Sequence, residues 1–159
     1  MKKIISYHHV EDIFNQILIR IKRLRAQINF THIYGPPNGG LPISTHFANH
    51  LGLKNIVGSQ NMLAEFISCN YNDINKMGIL IVDDICDTGK TFIDIKEILD
   101  VYNVPKVKFA SMFLKHRSEF KPDICYEEVS DDSWLIFPWE PTDGADEDRK
   151  DYEGRRGLL

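Results

Sequence analysis

Apolar residues fall at 10, 13, 14, 17, 18, 21, 24 and 28, the alternating three-and-four spacing of a helix with one buried face, so the pattern predicts a helix over 10–28. Residues 30–34 then read as a short strand, ending in Gly35-Pro-Pro-Asn-Gly-Gly40, a tight loop that leads into a helix reaching about residue 50. Pro42 suits an early helical position, because its missing N–H has no intrahelical partner there. Residues 54–57 suggest another strand. The stretch 59–76 is polar, Asn-rich in its second half and weakly periodic, and is expected to be irregular or partly helical. The strongest strand is 79–83, followed by a helix over about 90–101 and another strand at 107–114. Strand, loop and helix repeated in this way predict an α/β fold with a doubly wound parallel sheet.

Beyond that the pattern changes. Short strands are expected at 125–129 and 134–137, Pro138-Trp-Glu-Pro141 ends regular structure, and 142–159 is a charged tail. A chain of 159 residues suits one well-buried core rather than two. Net charge −4, from 19 basic and 23 acidic side chains, speaks against a general nucleic-acid surface. Arg20, Lys22, Arg23 and Arg25 lie largely off the apolar face of the first helix, either as a basic patch or as a solvated face near a helix C-terminus. Cys69, Cys86 and Cys125 are odd in number and widely spaced, which fits a reducing, cytoplasmic setting better than a disulfide framework. No segment approaches the roughly 18 apolar residues of a membrane span.

Chemistry concentrates at 82–91, Val-Asp-Asp-Ile-Cys-Asp-Thr-Gly-Lys-Thr, where a buried strand runs into carboxylates and then a polar turn. Gly89-Lys90-Thr91 matches the end of a P-loop, but Asp84 stands where that motif needs its first glycine, and a carboxylate there would repel the phosphates. The dinucleotide fingerprint is absent. If Asp83 and Asp84 end the strand, they can accept hydrogen bonds from two ribose hydroxyls and meet a bound Mg²⁺ through water. Thr88, Gly89, Lys90 and Thr91 can surround a phosphate with backbone N–H and hydroxyl donors.

These residues resemble the ribose-phosphate signature of type I phosphoribosyltransferases: apolar residues, an acidic pair, then D-T/S-G-x-T. The resemblance implies that Asp83 and Asp84 hold the ribose of 5-phosphoribosyl 1-pyrophosphate. It places Asp87 through Thr91 around the 5′-phosphate, and gives Asp87 the further role of acid/base near N7 of a purine. The loop at 35–41 is similar in position and kind to the family's diphosphate loop, which often holds a non-proline cis peptide. Asn38, Gly39 and Gly40 are the implied contacts, although the family commonly carries Arg or Lys where Asn38 stands.

The wider resemblance, over roughly 10–140, is to the bacterial and archaeal xanthine–guanine and hypoxanthine–guanine branch. There a strand-end lysine reads the purine O6, an aromatic stacks on the ring, and a W-x-x-x-P-W-[DE] segment closes the site. Lys115 and Trp134-Leu-Ile-Phe-Pro-Trp-Glu140 correspond, with the Leu135 backbone facing the 2-position. The family's flexible lid corresponds to the stretch beginning Ser59-Gln60-Asn61-Met62, where Lys76 is the basic residue; Arg149, Lys150, Arg155 and Arg156 of the tail are candidates for the missing charge. The implied arrangement is a phosphoribosyltransferase domain over 1–141, with a small C-terminal hood at about 115–141 and the tail beyond it. The implied reaction is Mg²⁺-dependent phosphoribosyl transfer to N9 of a 6-oxopurine, by a homodimer or homotetramer. Two alternatives stay open: the same chemistry on another base, and a regulatory or binding protein that keeps the phosphate site.

Overall fold

The computed structural model describes residues 2–140, so the tail at 142–159, with Arg149, Lys150, Arg155 and Arg156, lies outside the described residues. The chain forms two compact units: the larger is residues 15–131, and the described part of the smaller is 2–14 with 132–140.

In the larger unit five strands form one parallel sheet. They are β2 (His32–Tyr34), β3 (Lys54–Ile56), β4 (Gly78–Cys86), β5 (Lys106–Lys115) and β6 (Ile124–Val129), in the order β3-β2-β4-β5-β6. Helices α2 (Gly40–Leu51), α3 (Gln60–Cys69) and α4 (Lys90–Val101) make the crossovers β2 to β3, β3 to β4 and β4 to β5. From β2 the chain moves outward to β3, then returns past β2 to β4. The sheet therefore reverses direction between β2 and β4, and open α/β sheets bind ligands at the carboxyl ends of strands at that reversal. The loops after β2 and β4 are the two that the sequence singles out.

β4 is apolar at every position from 79 to 82 because it lies inside the sheet, covered on both faces. Its core cluster joins Ile79 and Ile81 to Tyr34, Phe92, Ile95, Leu99 and Phe109. The strand continues to Cys86, so Asp83 and Asp84 lie within it rather than at its end. The ladder explains the difference: Asp83 still pairs with Ser111, and Ile85 and Cys86 pair with Phe113 and Leu114 of the long neighbour β5. Of the two readings of 59–76, irregular or partly helical, the structure takes the helical one: residues 60–69 form α3. Ser59 caps it by accepting from the Met62 N–H, and Leu63 and Ile67 bury one narrow stripe. A 3-10 segment, Tyr71–Lys76, follows. Two buried positions are too few to stand out as periodicity.

The first helix, α1, is Tyr7–Leu24, shifted toward the N-terminus from the predicted span. Within the larger unit Arg20 of α1 and Arg25, just beyond its end, serve the fold. Arg20 donates to the Cys125 carbonyl of β6, and Arg25 donates at 3.0 Å to the carbonyl of Leu51, the last residue of α2. The second contact meets a carbonyl that a helix end leaves without an intrahelical partner.

The smaller unit holds a second parallel sheet, β1 (Lys2–Ile4) with β7 (Trp134–Ile136), in which Lys2, Lys3 and Ile4 pair with Trp134, Leu135 and Ile136. Ile5 N–H donates to Ile136 O at 2.8 Å, and the Tyr7 hydroxyl donates to Pro138 O. Phe137 and Trp139 stack with centroids 4.9 Å apart, and Glu140 folds back to accept from the Phe137 N–H. β1 has no counterpart in the sequence reading, since three residues are too few to carry a period. Among the described residues no helix is long and apolar enough to cross a membrane.

Candidate active site

Both loops of the sheet reversal meet at its centre. After β2 the chain passes Gly35-Pro36-Pro37 and enters α2 at Gly40, with a cis peptide between Pro37 and Asn38. Gly39 and Gly40 are set against the acidic pair. A Cβ on Gly39 would fall onto the Asp84 carboxylate, and one on Gly40 would lie 2.6 Å from Val82 O and 3.1 Å from Asp83 Oδ1. Two glycines are needed here because β4 leaves no room for a side chain.

Asp83 and Asp84 point their carboxylates back along their own backbone. Asp84 N–H donates to Asp83 Oδ1 at 3.0 Å, and Ile85 N–H donates to Asp84 Oδ1 at 2.7 Å. Beneath them Tyr34, fully buried at the end of β2, donates its hydroxyl to Gly58 O at 3.1 Å. Burial, with Asp83 adding to it, pushes that phenol up to about 12.

The second loop, 87–89, turns from β4 into α4. Gly89 caps the helix with φ +85°, a left-handed conformation suited to glycine, and a Cβ there would lie 2.6 Å from Phe120 N and 2.9 Å from Ser118 Oγ. Thr88 Oγ1 accepts from the Lys90 N–H at 3.3 Å, while the Lys90 ammonium pairs with Asp94 on its own helix at 3.0 Å. Lys90 therefore presents its main chain to this turn, with its charge directed along α4. Thr91 is half-buried in the first turn of the helix.

Asp87 is where opposite charges converge. Its side chain is 8% exposed, and Lys115, at the end of β5, is 5% exposed with Nζ 3.5 Å from Asp87 Oδ1. Arg117 reaches the same oxygen through Nη2 at 2.6 Å and Nε at 2.7 Å. Burial pulls the Lys115 ammonium below the usual lysine range, and the Asp87 charge opposes that pull. Cys86 is likewise buried, which pushes its thiol up to about 11; its sulfur lies 3.2 Å from Ser118 Oγ.

Sequence reasoning passes over Arg117. The connection from β5 to β6 carries no helix, and it crosses over the 87–89 turn, stitched there by Glu119 N–H to Thr88 O at 3.0 Å. Phe120 packs against Phe92 and Phe109 at centroid distances of 5.4 and 4.8 Å, holding the crossing down. The available signal is the basic run Lys115-His116-Arg117 directly after an apolar strand, at the same sheet end as Asp87. Trp134 and Leu135 lie in β7 of the smaller unit, Trp134 half-buried and Leu135 buried.

The larger unit thus brings Asn38, Gly39, Gly40, Asp83, Asp84, the 87–91 turn and Lys115 to one end of the sheet. Its acidic pair offers hard oxygen donors beside a glycine loop. Among the described residues no cluster of three or more His, Cys, Asp or Glu side chains forms a metal cage. Two carboxylates completed by ligand phosphates and water are a donor set that Mg²⁺ takes, so these residues fit that ion.

Comparison with known proteins bears on the fold. The structure is similar to a purine phosphoribosyltransferase from Pyrococcus horikoshii, with 21% identity, TM-score 0.69, and coverage of 88% of this chain and 94% of that one. It is also similar to the Helicobacter pylori xanthine-guanine-hypoxanthine phosphoribosyltransferase, at 18% identity and TM-score 0.66 over 97% of this chain and 99% of that one. A Neisseria gonorrhoeae hypothetical protein with bound ppGpp matches at 17% identity and TM-score 0.68, over 97% and 98% of the two chains. These likenesses share the doubly wound α/β fold. The phosphoribosyl transferase domain model matches residues 7–145, and the chain belongs to that family.

Proposed function

We propose that the protein transfers a 5-phosphoribosyl group from 5-phosphoribosyl 1-pyrophosphate to N9 of a 6-oxopurine (guanine, xanthine or hypoxanthine) and releases diphosphate. The observation that carries this is the meeting of the Gly39–Gly40 backbone with the Asp83–Asp84 carboxylates at the sheet reversal, with Asp87 and Lys115 beside them. The purine assignment draws support from the names of the Pyrococcus and Helicobacter proteins.

In this reading the peptide N–H groups of 38–40 face the diphosphate, and those of 88–91, with the Thr88 and Thr91 hydroxyls, face the 5′-phosphate. Asp83 and Asp84 fix the ribose hydroxyls and orient the sugar while its anomeric carbon gains positive charge. The same pair would hold Mg²⁺, which would supply charge neutralisation to the leaving diphosphate. N9 attacks C1′ as the C1′–O bond to diphosphate breaks, with inversion, and the proton released by the purine passes to Asp87. Lys115 donates to the purine O6. Stacking by Trp134 and the Leu135 contact at the 2-position are proposed on the resemblance.

A magnesium-dependent assay of diphosphate release with guanine, xanthine, hypoxanthine, adenine, uracil and orotate tests the proposal. Turnover with at least one 6-oxopurine, and loss of it on chelation, is the expected result; turnover with pyrimidines or adenine alone would replace the base assignment. Asn38, where the family commonly carries a cation, favours a second reading as a nucleotide-binding regulator. The ppGpp on the Neisseria protein fits that reading as well. Tight nucleotide binding without diphosphate release from any base would select it. Size-exclusion chromatography addresses the proposed dimer or tetramer.

A further inference from the structure

We propose that the larger unit carries a second ligand site, between β3 and α3, that takes an α-amino acid with an apolar side chain. The inference goes beyond the phosphoribosyl-transfer reading and does not rest on it.

A cavity of about 440 Å³ lies between the edge strand β3 and α3. That volume is within the range of small-molecule sites, about 300–1,000 Å³. Ile56 and Val57 line it from the strand side, and Met62 and Phe66, one helical turn apart, line it from α3. Val57 and Met62 are exposed at 56% and 53%, a pair of large apolar side chains at the end where β3 stops and α3 starts. The other end is polar. His32 and Lys54 are the first residues of β2 and β3 and are partners in the ladder, so this end faces away from the 38–40 and 87–91 loops.

His32 is only 8% exposed, with its ring 5.2 Å from that of Phe66. Its Nδ1 lies 2.8 Å from Thr31 Oγ1, whereas the same hydroxyl is 3.4 Å from Gly78 O. The shorter contact takes the hydroxyl proton, so Nδ1 accepts and Nε2 carries the ring hydrogen. Burial, with the Lys54 charge adding to it, pulls the imidazole below its ordinary 6.5 and keeps it neutral at neutral pH. Among the described residues Nε2 has no protein partner, and the ring opens only on the cavity it lines. A donor on so buried a side chain calls for an acceptor there.

Two opposite charges complete the cavity. Lys54 and Glu65 both line it, and among the described residues neither has an ion-pair partner, nor do they pair with each other. The Lys54 ammonium beside the Nε2–H donor suits a carboxylate. Glu65, across on α3, suits an ammonium. Ile56, Val57 and Met62 offer the apolar body its wall. An α-amino acid carries these three parts at once, whereas a plain anion leaves Glu65 opposed and a plain amine leaves Lys54 opposed.

NMR titration of the full chain with L-leucine, L-methionine and L-phenylalanine tests the site. Isocaproate and isoamylamine, each leucine without one of its charged groups, are the controls. At least one amino acid should shift the His32 ring and Met62 methyl resonances saturably and leave the amides of 38–40 in place. Each control should bind about fivefold more weakly, for one charge left unmatched. Lys54→Met and Glu65→Gln, at exposed positions, should each weaken the amino acid by a similar factor with melting temperature unchanged. No saturable shift with any of the three amino acids overturns the proposal. So does equal binding of isocaproate or isoamylamine, which would mark a merely apolar groove, and so does an affinity unchanged in both charge variants. The titration contains no phosphoribosyl donor, so its outcome is independent of the transfer reading.

Discussion

The two glycine loops at the sheet reversal sit in opposite electrostatic surroundings. Gly39 and Gly40 abut the Asp83–Asp84 carboxylates, and the loop's own polar side chain is the neutral Asn38. The 87–89 turn lies beside Lys115 and Arg117, both directed at Asp87. Each loop uses glycine, but for different reasons. Gly39 is required by close approach, since a Cβ would strike Asp84. Gly89 is required by a left-handed φ as well as by the Phe120 backbone above it. The contrast assigns different work to the two sides. The first loop can hold an anion through peptide dipoles, with charge neutralisation left to a cation that the acidic pair attracts. The second has its own positive charge and a buried carboxylate on which protons can move.

The largest effect that would break this division is at Asp87. Asp87→Asn should lower turnover by about 10²–10⁴, the usual range for a positioned acid or base, and leave diphosphate affinity little changed. Initial rates with product-inhibition constants check both halves; an Asn variant that loses diphosphate affinity and keeps kcat would exchange the roles of the two loops. Asp87→Ala should also destabilise the fold by roughly 3–5 kcal/mol, because it strands the buried Lys115 ammonium. Urea unfolding measures that cost.

Next is the close approach at the first loop. Gly39→Ala forces the Asp84 carboxylate and the loop apart, an overpacking worth about 1–3 kcal/mol. It should appear mainly as a higher donor KM, by about fivefold to 150-fold for that energy. A normal KM would show that the loop yields without consequence for the ligand.

Tyr34 sharpens the electrostatic half of the comparison. Its folded pKa of about 12 lies above the ordinary 10.0, so the native state retains a proton that the unfolded chain loses between those values. The stabilisation is fully present below pH 10 and is lost as pH rises toward 12. Tyr34→Phe should cost about 1 kcal/mol at neutral pH, from the hydroxyl bond to Gly58. That deficit should narrow across the alkaline window, as read from urea midpoints at pH 8 and 11. An unchanged deficit would mean that Asp83 and burial do not act on the phenol.

The smallest expected change is a gain. Asn38→Lys places a cation on the loop facing the proposed diphosphate, and an exposed charge contact of this sort contributes about 0.2–1 kcal/mol. Donor KM should fall by no more than about fivefold, and the benefit should fade with added salt. A larger, salt-resistant gain would mean that this loop is more enclosed than its exposed Asn38 suggests.

Legibility followed length and locality. The α4 span at 90–101 and the β5 core could be read directly, because each repeats its apolar period several times among neighbours in sequence. The signature at 82–91 was legible because its chemistry is contiguous. α3 was less so, since its helix depends on one cap and two buried side chains. β1 was illegible, because it exists only by pairing with β7, far along the chain.

From sequence alone came the α/β crossover pattern, the acidic strand with its phosphate turn, and a glycine loop upstream, all set by local periodicity and by residue types that chemistry needs side by side. Tertiary structure alone decided that β4 runs on through Asp83 and Asp84 to Cys86, that Gly39 lies against Asp84, and that Arg117 and Lys115 meet on one oxygen of Asp87. Those facts depend on strand order and on where a helix-free connection crosses the sheet end. They are long-range contacts, and no local pattern of hydrophobic and polar residues encodes them.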